Sequence, residues 1–151
     1  MSLKSLTALQ HFIGPSQRHA VLCAMRGEER RFFADKLGEL ARIVETMPAS
    51  YQTQDQGENA VAYLHYFAGG VASWYITEKD MGCDTDPEAE RGRQYQAFGL
   101  ADLWRDGGEV GYISIAEILE NGGELDFHWT PKTLGKIRGK CACGGKVQVE
   151  A

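Results

Sequence analysis

Apolar positions recur at two different periods along this chain, and the change of period divides it. Near the start, Leu3, Leu6, Leu9, Phe12 and Ile13 fall at helical spacing. Gly14-Pro15 ends that segment, and Ser16 stands where a cap is wanted for a second helix over QRHAVLCAM. Cys23 lies within that apolar run and reads as a small core residue. Residues 28–47 predict the longest helix. Phe33, Leu37, Leu40, Val44 and Met47 step by four and three, which puts them on one core-facing stripe, and Pro48 stops it.

After a polar, turn-rich stretch (ASYQTQDQGENA) the period falls to two. VAYLHYFAGG, VASWYITEKD, QAFGLADLW and VGYISIAEI are rich in aromatic and β-branched residues. Gly69-Gly70, the long loop 79–94 and Asp106-Gly107-Gly108 separate them, which predicts a four-stranded antiparallel meander. SIAEILENGG reads as a strand passing into one or two helical turns, ended by Gly122-Gly123. ELDFHWT is a candidate fifth strand, and PKTLGKI a short helix with Pro131 in its first turn. The sequence therefore predicts an α+β fold. Residues 1–138 form one domain, with a helical front (1–50) packed on a four- to five-stranded sheet (60–130). A flexible Cys-x-Cys tail follows at 139–151.

In WYITEKD, strict alternation puts Trp74, Ile76 and Glu78 on one face. AFGLADL does the same with Phe98, Leu100 and Asp102. If the two strands pair across the loop 79–94, Glu78 sits at the loop end and Asp102 at the far end. At ~3.3 Å per residue, six residues of offset separate the acids by roughly 20 Å. Two carboxylates working on one bond need to lie within roughly 10 Å. The acids are thus no catalytic dyad, and each is expected where a core-facing row reaches water.

Composition narrows the class. The chain has 151 residues, 43% hydrophobic, enough for one domain with a sizeable core. No leader with an apolar run and cleavage site is evident, no stretch approaches the ~20 apolar residues of a membrane span, and four cysteines are too few for a secreted framework. A cytoplasmic location is expected. The net charge of −5 hides an asymmetry: residues 1–50 sum to +2, residues 51–126 to −11 and residues 127–151 to +4. The acidic middle disfavours direct nucleic-acid binding through the sheet and leaves the basic tail as the place for it.

Candidate chemistry is sparse. The loop 79–94 holds Asp80, Asp84, Asp86, Glu88 and Glu90, yet an EF-hand counted from Asp84 would need Gly at Ala89 and Glu at Tyr95, so the motif fails. His65 shares a strand face with Tyr63 and Phe67, and His128 with Asp126 and Thr130. A histidine beside a strand carboxylate fits a general base, but no partnered nucleophile is recognisable for either. Cys141 and Cys143 are the candidate metal ligands, half of a zinc set whose second pair is missing unless Cys83, His128 or another chain supplies it. No P-loop, dinucleotide fingerprint, H-E-x-x-H or G-x-S-x-G is present. No cofactor is implied.

Four words, WYITEKD, AFGLADL, GEVGYISIAEI and LDFHWTPKTL, resemble in content and order an uncharacterised bacterial family, domain of unknown function 2958, common on plasmids and integrative elements. The resemblance covers residues 62–134, with the helical front and the Cys-x-Cys tail outside it. Its signature here is Thr77, Glu78, Asp80, Phe98, Gly99, Leu100, Gly111, Tyr112, Ser114 and Glu117. It implies a mobile-element accessory role and transfers no catalytic residues. The meander brings the end of the second strand, the start of the third and the end of the fourth to one edge, so Glu78, Tyr95, Ser114 and Glu117 are expected to be close. Two functions follow as expectations. One is a non-enzymatic interaction module that binds a protein or nucleoprotein partner through the acidic edge and loop (Glu78, Asp80, Asp84, Asp86, Tyr95, Tyr112). The alternative is a Mg²⁺- or Mn²⁺-dependent hydrolase or nuclease using Glu78, Asp80 and Glu117, with Ser114 or His65 in support.

Overall fold

The computed structural model describes residues 2–53, 55–80 and 93–143, with the side chains of Cys141 and Cys143 outside the described residues, as are Asp84, Asp86 and Cys83. Helices come first: α1 (Ser2–Ala8), α2 (Pro15–Ala24) and α3 (Arg30–Thr46). The predicted stripe of α3 is the buried one, with Leu37, Leu40, Val44 and Met47 in the core and Phe33 packed against it. Met47 is already extended (ψ 154), because a residue before proline is pushed out of the helical region. Helix α2 differs from expectation in two ways. Its cap position is Gly14, with Pro15 at the first helical position and no side-chain cap from Ser16. Proline's fixed φ and missing N–H suit that site, so the helix starts two residues earlier. Cys23 is exposed rather than in the core, since only Val21 of this helix is buried.

The strands are β1 (Val61–Ala62), β2 (Leu64–Ala68), β3 (Ala72–Glu78), β4 (Ala97–Asp102) and β5 (Glu109–Ile113), followed by helix α4 (Ile115–Glu120), β6 (Glu124–Leu125), β7 (Lys132–Thr133) and α5 (Leu134–Cys143). The predicted meander is present, in a five-stranded antiparallel sheet of order β5-β4-β3-β2-β6. Gly69 and Gly70, both at left-handed φ (63° and 78°), reverse the chain between β2 and β3. The fold is α+β as the sequence predicts.

Three local expectations change. Residues 61–68 are two strands, because β1 leaves the main sheet to pair with β7. The fifth strand keeps only Glu124–Leu125. Beyond it Asp126 Oδ1 accepts the amide of His128 (2.9 Å) and Asp126 O that of Trp129 (3.3 Å), an aspartate-nucleated turn. Pro131 precedes β7 instead of opening a helix. Helix α5 begins at Leu134, where Thr133 Oγ1 accepts the amide of Lys136, and its backbone runs on to Cys143, into the stretch read as tail.

The sheet has two unequal faces. Leu64, Tyr66, Ile76, Ala97, Ile113 and Leu125 pack with the helices in the main core. Tyr66 is wholly buried and donates its hydroxyl to Phe12 O (2.5 Å), tying the end of the first helical segment to the sheet. On the other face Leu100, with Ala60 and Ala62, packs against Leu134 and Ile137 of α5, with Tyr75 and Trp129 alongside. That second cover is short, and much of the face stays open.

The two sheet edges also differ. Beside β6, the side-chain amide of Gln17 donates to Leu125 O (2.7 Å) and accepts from Leu125 N (3.0 Å). A single glutamine so occupies the outward backbone groups of that edge. Among the described residues, the outer side of β5 is bonded to no strand.

Candidate functional site

The predicted edge exists, but its central acid does something else. Register pairs Ile76 with Gly99 and then Glu78 with Phe98, so a β-bulge at Thr77 interrupts the alternation. Glu78 thereby leaves the face of Trp74 and Ile76 and joins that of Phe98 and Tyr112, which are themselves paired. It does not reach water: it is 3% exposed. Its Oε1 accepts the amide of Tyr51 (2.7 Å), and its Oε2 accepts both the amide (2.8 Å) and the hydroxyl of Thr53. A carboxylate buried in this way must be held by such donors. Tyr51 adopts a left-handed φ of 71° to present its amide, a conformation that costs a non-glycine residue about 1–2 kcal/mol.

Asp102 is likewise buried (5% exposed) and accepts the amide of Asp106 (3.2 Å), closing the β4–β5 turn. The register sets Asp102 opposite Ser73, not Glu78. The two acids therefore lie at opposite ends of the β3–β4 pair, as the spacing argument requires, but neither marks a wet strand end.

Asp80 accepts the amide of Gln96 at Oδ2 (3.0 Å), and its own amide donates to Gln94 Oε1 (2.8 Å). Gln94 O in turn accepts the amide of Ala116 in α4 (3.1 Å). The ends of β3, β4 and β5 thus do meet at one edge. Ser114 caps α4 by accepting the amide of Glu117 (3.2 Å), a helix-start role. No group of three or more His, Cys, Asp or Glu among the described residues is placed to hold a metal ion. Glu78, Asp80 and Glu117 are therefore not gathered as the hydrolase alternative needs, and both oxygens of Glu78 are already taken.

Among the described residues, two tyrosines are exposed at this edge, beside Gln96 and Glu117. Tyr112 is 60% exposed, packs edge-on against Phe98 (5.6 Å) and donates its hydroxyl to that of Tyr51 (3.2 Å). That hydrogen bond raises the phenol of Tyr112 above its ordinary value, and the Glu78 charge adds to the effect. Tyr95 is exposed with the Arg93 guanidinium 4.9 Å above its ring.

A second cluster lies on the open sheet face, and the sequence did not disclose it as a unit. His65 Nδ1 is 2.9 Å from Asp126 Oδ2, and His65 Nε2 is 3.0 Å from Ser73 Oγ. The imidazole stacks on Tyr75 (4.7 Å, 11° between planes), with Trp129 5.1 Å away. Lys132 stands over the Trp129 ring at 4.5 Å. His128 takes no part; its ring lies near Phe32 (6.1 Å).

Comparison with family models, with curated proteins and with solved structures finds no match in any of the three. No helix among the described residues is long and apolar enough to cross a membrane.

Proposed function

We propose that this protein is an interaction module, a mobile-element accessory as its family resemblance implies, which takes an extended segment of a partner protein onto the edge of β5. The carrying observation is where the exposed apolar surface falls. Of nine exposed large hydrophobic side chains among the described residues, Tyr51, Leu103, Trp104, Val110 and Tyr112 lie on β5 and the loops beside it. Trp104 is 77% exposed, which a residue of that size rarely is without use. Strand β5 has no proline or lysine, and among the described residues no side chain hydrogen-bonds its outer backbone, whereas the opposite edge is covered by Gln17. Main-chain pairing supplies affinity in such a mode, and alternate side chains supply selectivity. Glu109 within the strand, Asp106 before it and the −11 of residues 51–126 favour a segment alternating basic and apolar residues.

The test is a panel of extended peptides of that pattern, titrated against labelled protein with amide shifts and exchange read by NMR. Binding peptides are expected to slow exchange at residues 109–113 and to be lost in Val110→Lys/Tyr112→Lys at unchanged melting temperature. Binding that leaves β5 unperturbed, or none across the panel, would refute the proposal.

A further inference from the structure

Beyond partner binding, the geometry points to a serine-based acyl-transfer site on the open sheet face, with Ser73 as nucleophile, His65 as general base and Asp126 as the residue that positions the imidazole. The hydrogen-bond polarity carries this assignment. An ionised carboxylate only accepts, so the 2.9 Å contact with Asp126 Oδ2 puts a proton on His65 Nδ1. In the neutral ring with its proton on Nδ1, Nε2 has a free lone pair, placed 3.0 Å from Ser73 Oγ to accept the hydroxyl proton. Nucleophile, base and orienting acid are thus joined in the order that defines this chemistry on unrelated folds, where geometry and not sequence position is the criterion.

Three elements converge to build it. His65 and Ser73 are diagonal neighbours across the β2–β3 hairpin, because His65 pairs with Tyr75 and Phe67 with Ser73. Asp126 is brought in by the turn after β6, where its own amide donates to His65 O (2.8 Å) and its second oxygen holds the amide of His128. The carboxylate is therefore fixed by the backbone it belongs to, not left to rotate. The cluster remains reachable: side-chain exposure is 14% for His65 and 25% for Asp126. Tyr75, Trp129 and the exposed Phe67 provide an aromatic floor for an apolar acyl or aryl group.

The reaction is ester hydrolysis. Ser73 Oγ bonds to the acyl carbon as its proton passes to His65 Nε2. The adduct collapses, the bond to the leaving oxygen breaks, and that oxygen takes the proton from Nε2. Water repeats the sequence on the acyl-serine, giving its proton to Nε2, and the carboxylic acid departs as Ser73 recovers its own. No oxidant, reductant or metal enters. Strand β3 is paired on both sides, so its amides are committed to the sheet and do not form a pair of donors for the oxyanion. Each such missing donor costs about 10²–10³ in rate. The site therefore fits activated esters with good leaving groups, turned over slowly.

The experiment uses the full chain with p-nitrophenyl acetate as substrate and a fluorophosphonate as label, located by peptide mass spectrometry. Expected are label on Ser73 and an ester hydrolysis rate at least tenfold above that of Ser73→Ala. Asp126→Asn is expected to lower kcat with KM little changed while Ser73 remains the labelled residue, which a purely structural aspartate would not produce. Ser73→Ala removes one oxygen and leaves the sheet pairing, so its melting temperature serves as the folding control. A folded wild type that hydrolyses no faster than Ser73→Ala and carries no label on Ser73 would overturn the assignment. The peptide titrations at β5 are unaffected by either result, so the two proposals fail separately.

Discussion

Glu78 Oε2 accepts two hydrogen bonds from a single residue, the amide and the hydroxyl of Thr53, 25 positions earlier in the chain. The loop before β1 is thereby organised by a strand residue, and the strand end is closed by the loop. Replacing Glu78 with Gln keeps the size and removes the charge. One of the three donors then meets an NH₂ group instead of an oxygen. A loss of about 2–3 kcal/mol is expected, read as a lower urea midpoint at unchanged slope. Thr53→Val, which removes only the hydroxyl, should cost about 1 kcal/mol. A Glu78→Gln protein as stable as wild type would show that the carboxylate does not hold this loop.

Gly99 and Gly111 face each other across β4 and β5, yet they should respond oppositely to alanine. A Cβ at Gly99 would stand 1.9 Å from Tyr75 O, whereas at Gly111 nothing lies within 4 Å. Sheet backbone cannot move aside as a flexible side chain can. Gly99→Ala is expected to cost at least about 3 kcal/mol, and Gly111→Ala less than about 1 kcal/mol. Paired thermal melts would decide it.

Tyr66 and Tyr112 should titrate late. Burial pushes the phenol of Tyr66 well above its ordinary value, and the Tyr51 hydrogen bond raises that of Tyr112. Both hold their protons more tightly folded than unfolded. Above pH about 10 the unfolded chain therefore binds fewer protons, and stability falls as pH rises. Below that pH these two groups leave stability flat. Absorbance at 295 nm, compared with the chain in guanidinium, should show the delay. Tyr66→Phe should remove the later part, and Tyr51→Phe should bring Tyr112 down.

Gln17→Ala should uncover the edge of β6. Loss of both bonds to Leu125 is expected to cost about 1–2 kcal/mol in sum. The sharper measurement is hydrogen exchange, which should quicken at Leu125 and leave β5 unchanged.

The sequence made most of the architecture legible because periodicity survives packing. The α3 stripe and the four main strands were readable from spacing alone, and the paired glycines located the first reversal. Half of the His65 cluster was within reach too. Once Gly69-Gly70 fixes the hairpin, His65 and Ser73 share a face by alternation. Asp126 was not, since its approach depends on a two-residue strand and on a turn closed by its own side chain. The role of Glu78 was hidden for a different reason. Nothing in Ile76-Thr77-Glu78 announces a bulge, so the alternation was carried one residue too far. The cap at Gly14 and the position of Pro131 were misjudged where two proline-compatible sites competed, which local preference does not resolve.

The bulge at Thr77 means that β3 carries two frames in one strand. Up to Ile76, even-numbered residues belong to the helical side. After the extra residue, an even number belongs to the open side. Deleting Thr77 would therefore make the ladder regular, with the glutamate directly after Ile76, opposite Phe98 and still on the open side. A comparison of related sequences must set any gap in β3 here, because a gap placed earlier in the strand would exchange an inside for an outside.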